Sequence, residues 1–310
     1  MKKIHQLSFR MQIFLSSLIL VIFPTVLLST INAISKTSTI TSEYNTSTAA
    51  TLTQMNQSLD TLLENALKIA DTPLLNDDAR KAMITNYEKD YLSYAQDFNV
   101  FRNLMRQTNQ LNSSMLTVYF QNRYGYSFEY NVKTAQQRHT IESNMEKWKK
   151  IAETSKNRTY FAPLQTDSST GHSILPMVKI LLDRYDYRET GLCYAEIDFT
   201  PIMEILSSSC ETQNTLLIYN ADNKLTCTIN LASFSEADIS SSVLSKLEDF
   251  SNTLTSQDAI GQSTLKTSLG QFVINGCINN TTQWHIVQII SNEKIADRKS
   301  TRLNSSHIAS

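Results

Sequence analysis

MLTVYFQNRYGYSFEY, residues 115–130, is where the apolar period of the chain changes from helical to extended. Leu116, Val118 and Phe120 alternate with Thr117 and Tyr119, the period of two that marks a strand. Asn122-Arg-Tyr-Gly125 is a turn. Tyr126, Phe128 and Tyr130 then alternate with Ser127 and Glu129, which closes a hairpin. Downstream, residues 141–153, with Trp148, read as a helix. Thr159–Ala162, Ile174–Leu182 and Leu192–Phe199 read as strands. Thr200 is expected to cap a short helix, Ile202–Ser207, with Pro201 at its first helical position.

The same order then recurs. Thr215–Tyr219 and Lys224–Ile229 are strands joined by the turn Asn220-Ala-Asp-Asn223. Ser235 is placed as an N-cap, with Asp238 three residues on and Phe234 and Ile239 as a hydrophobic staple. That helix runs to about Leu254. Gln271–Ile278 and Trp284–Ile290 are the last strands, separated by Asn279-Asn-Thr-Thr282. A hairpin, a helix and antiparallel strands therefore occur twice, the second time in a smaller unit.

Upstream of the first hairpin the period is helical. Leu52, Met55, Leu59, Leu62, Ala66 and Ile69 repeat at 3-4-3-4-3. This is an a/d seam, suited to a neighbouring helix or to a second copy across a dimer. Thr72-Pro73 is expected to end it, because the residue before proline resists the helical region. Asn76 is the next N-cap, with Asp77 and Asp78 in the first turn. Met83, Tyr87, Tyr91, Tyr94, Phe98, Phe101 and Met105 form the stripe of a second helix and are read as core. The two helices are expected to pack together as a stalk.

Residues 13–34, IFLSSLILVIFPTVLLSTINAI, are an uninterrupted apolar run behind Lys2, Lys3 and Arg10. A helix of about 20 residues crosses a bilayer. The basic flank keeps residues 1–12 in the cytoplasm and places the rest outside. Two other readings stand beside the anchor. One is a signal peptide cleaved near Ala33, although the run exceeds the usual h-region and Asn32-Ala-Ile-Ser35 is a poor cleavage site. The other is a buried core helix.

A formal net charge of −1 excludes binding driven by phosphate neutralisation, so no nucleic-acid partner is expected. Cys193, Cys210, Cys227 and Cys277 are widely spaced, without CxxC or a Cys/His cluster, so no metal site or cofactor is expected. The four read as buried thiols. If a disulfide forms outside the cell, Cys227 and Cys277 are the pair in strand-like segments. No catalytic motif is present, and none of His5, His139, His172, His285 and His307 has a kinase-like context.

This arrangement resembles the double Cache extracellular sensor region, in which two PAS-like units hang on a long membrane-proximal helix. The resemblance rests on Ser8-Phe-Arg10 before an anchor with Pro24, on Leu59 and Leu63, and on the strand Met115–Phe120. It rests further on Gly191–Phe199, Pro201–Leu206 and Gln283-Trp-His285. It implies an α+β fold: an N-terminal transmembrane helix, a long stalk helix and two PAS-like antiparallel-sheet units. The divisions are 1–12 cytoplasmic, 13–34 transmembrane, 35–110 stalk, 111–210 membrane-distal unit, 211–290 membrane-proximal unit and 291–310 tail. The Phe-Arg and the proline-containing anchor are most similar to sensor histidine kinases of Gram-positive bacteria. There a second membrane helix follows, then a HAMP linker and a kinase. Here Arg298–Ser310 resembles translated sequencing-adaptor DNA instead, and the natural gene is expected to continue.

The resemblance implies a ligand pocket in the membrane-distal unit, between the sheet and its covering helix. Tyr119, Tyr126, Trp148, Tyr160, Arg184 and Asp198 are the candidate lining: aromatic walls with one basic and one acidic group, for a small polar molecule. Amino-acid-binding members carry Arg-x-Trp-Tyr, where this chain has Glu146-Lys-Trp-Lys. The expected function is ligand sensing for a two-component sensor histidine kinase in the cell membrane. It would act as a homodimer through a shift of the 35–70 helix, with a cognate response regulator. The other readings are a chemoreceptor, a membrane-anchored transcription regulator or a secreted binding protein.

Overall fold

The computed structural model describes residues 9–111, 115–167, 171–209, 214–229, 241–254, 260–267 and 270–291. The chain divides into two units, one of Met1–Ala50 with Asn292–Ser310 and one of Thr51–Ser291. The first unit is helical from Phe9 and carries the apolar run, whose described side chains are exposed: Leu20 is 75% exposed and Phe23 66%. Among the described residues no helix is long and apolar enough to cross a membrane. The expected span also takes in Leu15, Ala33 and Ile34, whose side chains lie outside the described residues. The expected tail beyond Ser291, which itself ends the last strand, and the Ser235 cap with its staple lie outside them as well.

The second unit is built on helix α1 (Phe9–Leu75), of which residues from Thr51 onward belong to it. Helices α2 (Asp77–Met83) and α3 (Tyr91–Leu111) follow. The first sheet comprises β1 (Met115–Asn122), β2 (Ser127–Tyr130), β3 (Thr159–Phe161), β4 (Gln165–Thr166), β5 (Ser173–Leu182) and β6 (Glu189–Asp198). Its order is β2-β1-β6-β5-β3, with β4 also on β5. Between β2 and β3 runs α4 (Ala135–Thr154), and α5 (Thr200–Ser209) leads to the second sheet. That sheet holds β7 (Thr215–Tyr219), β8 (Leu225–Ile229), β9 (Gly261–Thr267), β10 (Gly270–Ile278) and β11 (His285–Ser291), in the order β8-β7-β11-β10-β9. Helix α6 (Ser241–Thr253) precedes β9. All pairings are antiparallel.

Both faces of each sheet are covered, which the hairpin pattern alone does not show. A bulge between Met115 and Thr117 shifts the register of β1. Beyond it Val118 and Phe120 enter a core with α1, while Tyr119 enters a second core with α4. Phe101 of α3 stacks on Phe128 of β2, ring centroids 4.3 Å apart. The second sheet divides likewise. Leu216, Ile218, Cys277 and Ile286 face the α1 core, and Leu217, Val287 and Ile289 pack with Val243, Leu247 and Phe250 of α6.

The seam of α1 is therefore an internal one. Leu52, Met55, Leu59, Leu63, Ala66, Ile69 and Ala70 are all buried in the core shared with the two sheets. Residues of both sheets share that core with the seam, together with Met83 of α2 and Phe101 and Met105 of α3. The expectation of a dimer seam over 52–69 is corrected: an apolar stripe records burial but not the identity of what buries it.

Three helix boundaries also differ. Helix α1 passes Pro73, whose fixed φ suits a helix, and Leu74 just beyond is 8% exposed. Asn76 caps α2 as expected, accepting from Ala79 N at 2.9 Å. The second helix, however, is two. Residues 84–90 interrupt the phase of the stripe, and Asp90 caps α3 through Ser93 N (3.0 Å) and Ser93 Oγ (2.6 Å). Tyr87 remains core at 4% exposure, whereas Tyr91 is 80% exposed. Finally, Thr200 does not cap α5. Its Oγ1 accepts from Ser173 N at 3.1 Å, and its own amide donates to Asp198 Oδ1 at 3.0 Å.

Cys193, Cys227 and Cys277 are free thiols. Cys227 on β8 and Cys277 on β10 have β7 and β11 between them. Three strand spacings amount to about 14 Å, well beyond the reach of a disulfide. The conditional Cys227–Cys277 pairing is excluded by sheet order, which strand-like sequence does not reveal.

Candidate functional site

Alternation on β1, β5 and β6 aims Thr117, Tyr119, Val178, Ile180, Leu192, Tyr194 and Glu196 at the face that α4 covers. Thr134 caps α4 by accepting from Gln137 N at 3.1 Å, so the helix begins six residues before the expected 141. From it Ile141, Met145, Trp148 and Ala152 seal the middle of the face. Trp148 stacks on Tyr194 at 6.4 Å with 11° between planes, and Tyr160 leans on it at 5.9 Å.

Toward the N-terminal end of α4 the seal stops and a pocket of about 510 Å³ opens. Thr117, Ile174 and Glu196 come from the sheet, Thr134 and Gln137 from α4, and Asp167 and His172 from the loop before β5. Its polar groups are held by neighbours. Gln137 Nε2 donates to Thr117 Oγ1 at 3.4 Å, and Gln137 Oε1 accepts from Lys133 N at 2.9 Å. Tyr194 OH donates to Glu196 Oε1 at 3.0 Å, which links the pocket to the aromatic layer. Burial, then the Glu196 charge, holds the Tyr194 phenol well above its usual range, so it stays a donor. Tyr119 OH likewise donates to Glu142 Oε1 at 2.6 Å, with its ionisation pushed up first by burial and then by that bond. The lining carries the carboxylates of Asp167 and Glu196 against the ammonium of Lys133.

Of the six residues expected to line a pocket, the structure gathers Tyr119, Trp148 and Tyr160 on this face. They form the packed layer beside the pocket rather than its lining. Tyr126 is on the opposite side, with its ring 5.2 Å from Tyr87 and 5.6 Å from Tyr94. Arg184 is exposed in the β5–β6 turn, its guanidinium 4.7 Å from the Tyr185 ring. Asp198 is at the other end of that hairpin, holding Thr200 N, with Oδ2 3.7 Å from His172 Nδ1. Arg184 and Asp198 therefore do not converge. Thr117, Gln137 and Glu196 were missed. For Thr117 and Glu196 the available signal was a polar residue two places along a strand from Tyr119 or Tyr194, and Gln137, on α4, carried no such signal. Among the described residues no group of His, Cys, Asp and Glu is placed to hold a metal.

No family model matches the chain, and no curated protein matches it. Solved structures do. The ligand-binding domain of the Campylobacter jejuni chemoreceptor Tlp3 in complex with L-valine superposes with a TM-score of 0.58 at 10% identity, over 84% of this chain and 98% of that one. The sensory domain of Tlp3 without a named ligand gives 0.59 at 10% identity and the same coverage. With isoleucine bound it gives 0.57 at 10% identity, again over 84% and 98%. Likeness at this identity concerns the fold, and the chain shares the fold of these Tlp3 ligand-binding domains.

Proposed function

We propose that this chain is the extracellular ligand-binding region of a membrane-anchored signalling receptor, and that its ligand is a small amine-bearing molecule held in the pocket beside Thr117, Gln137 and Glu196. The observation that carries this reading is the pocket itself: about 510 Å³, on the α4 face of the first sheet. That volume is in the range of small-molecule sites. Two carboxylates against one ammonium favour a cationic group over an organic acid. The double Cache fold, shared with the Tlp3 domains in complex with L-valine and with isoleucine, supports the reading. The apolar run 13–34 behind Lys2, Lys3 and Arg10 supports an anchor with the bulk of the chain outside.

For the output, the resemblance of the N-terminal region supports a two-component sensor histidine kinase with a cognate response regulator. The chemoreceptor reading is favoured by the nature of the structural neighbours. A homodimer remains part of either reading, and it needs a surface other than the 52–69 seam.

The test is a thermal-shift screen of the full chain in lipid nanodiscs against amines, amino acids and organic acids. Amine-bearing compounds are expected to raise the melting temperature, and Glu196→Gln and Gln137→Trp to remove the rise. A rise that survives both variants, or one confined to organic acids, would sink the assignment.

A further inference from the structure

A second cleft of about 610 Å³ lies at the far edge of the first sheet, between α1, the turn at Asn157 and Arg158 that precedes β3, and strand β5. Its apolar walls are Leu67 and Leu74 of α1 with Ile180 and Leu182 of β5. Its polar lining is strongly biased: Lys68, Arg158, Lys179 and Arg184 stand against Glu64 and Asp71. Asp71 is already engaged, with Oδ2 2.6 Å from Lys179 Nζ. Among the described residues Lys68 and Arg158 make no ion pair. The cleft is open because β3 begins only at Thr159. Its first pair is Thr159 with Lys179, and Asn157 and Arg158 before it are left-handed, at φ 54° and 51°. Among the described residues the outer edge of β5 from Ile180 to Leu182 consequently has no strand beside it.

We propose that this cleft is a second ligand site, separate from the amine pocket, and that it takes an organic anion with an apolar body. The apolar part would lie between Leu67, Leu74 and Leu182, and the anionic group between Lys68 and Arg158. Two features select this class. The positive excess attracts an anion, and the low-dielectric walls strengthen that attraction compared with an open surface. The walls themselves offer nothing to a fully polar ion such as sulfate. Because Lys68 is on α1 and Arg158 is on the sheet side, one anion would bridge the helix to the sheet.

The full chain in nanodiscs can be titrated calorimetrically with phenylpropionate and phenyl phosphate, alongside phenylpropionamide and phenylpropylamine. The anions are expected to bind, the amide roughly tenfold more weakly and the amine not at all. Arg158→Glu and, independently, Lys68→Glu should each weaken the anions by roughly tenfold, with melting temperatures unchanged. Both residues are exposed, so either variant serves if the other fails to fold. Absence of binding by both anions overturns the proposal, as does equal binding of the amide or indifference to both charge reversals. Loss of anion binding in Gln137→Trp would place the anion in the first pocket and overturn it too. Failure of the amine reading leaves all these outcomes unaffected.

Discussion

Asn279, in the turn between β10 and β11, donates its side-chain amide to Asn56 Oδ1 of α1 at 2.8 Å, across 223 residues of chain. The same amide reaches Asp60 Oδ1 at 3.0 Å, and that oxygen also accepts from Thr281 N (3.1 Å) and Thr281 Oγ1 (2.7 Å). Asn56 returns a bond to Ile278 O at 3.3 Å. The second sheet is thus fixed to α1 by a buried polar hub as well as by apolar packing. Elsewhere on α1, Asp71 pairs with Lys179 of the first sheet. One helix is tied by polar contacts to both sheets, so a change in either is felt along it.

Removing the hub should be costly. Asn279 is fully buried, and its Oδ1 also accepts from Thr282 N and Oγ1. Asn279→Ala leaves those donors and Asn56 unpaired, at about 2–3 kcal/mol. Urea unfolding of the purified chain should show that loss as a lower midpoint with an unchanged slope. A change below about 0.5 kcal/mol would show that the hub contributes little.

Trp148 should report on packing first. It is 6% exposed and sandwiched between Tyr194 and Tyr160. Trp148→Ala is expected to destabilise the chain by about 3–5 kcal/mol. Trp148→Phe should retain most of the stability. An alanine variant as stable as the parent would contradict the buried stack.

The thiols should be slow to react. Burial pushes Cys277 up to about 12 and Cys227 up to about 11, and raises Cys193 as well. At pH near 8 the reactive thiolate is then scarce. Alkylation followed by peptide mapping should modify Cys227 before Cys193 and Cys277, and all three rapidly in denaturant. Recovery of a disulfide-linked Cys227–Cys277 peptide from native protein would refute the sheet order.

His285 sets an acid sensitivity. Its Nδ1 meets Ser251 Oγ at 2.5 Å, and Ser251 Oγ donates to Asn223 Oδ1 at 2.9 Å, so Nδ1 carries the proton in this arrangement. Burial holds the imidazole below its ordinary 6.5. As pH falls through 6.5 the unfolded chain takes up a proton that the folded chain resists. The stability present above that value is therefore lost progressively on acidification, until the folded His285 titrates. His285→Gln should flatten the dependence of the urea midpoint between roughly pH 7 and pH 5. An identical slope in parent and variant would exclude this histidine as its source.

Local sequence determined the elements whose signals are local. The alternation of 115–130 determined β1 and β2, because successive strand side chains must point to opposite faces. Asn76 determined the start of α2, because its side chain satisfies an amide that the first turn leaves open. The seam Leu52–Ile69 determined that α1 has a buried stripe. Tertiary structure decided everything that depends on which surfaces meet. It put the two sheets, with α2 and α3, into one core with that stripe, where the sequence left open a second copy. It separated Tyr126 from Tyr119 by placing them on opposite faces of one sheet, and it separated Arg184 from Asp198 by the length of the β5–β6 hairpin. It kept Cys227 from Cys277 by ordering two strands between them. It also brought Thr117, Gln137 and Glu196 from three elements to one pocket, which no spacing along the chain encodes. Periodicity states that a side chain is buried. Only the pairing of strands, with contacts between residues far apart in sequence, states what it is buried against.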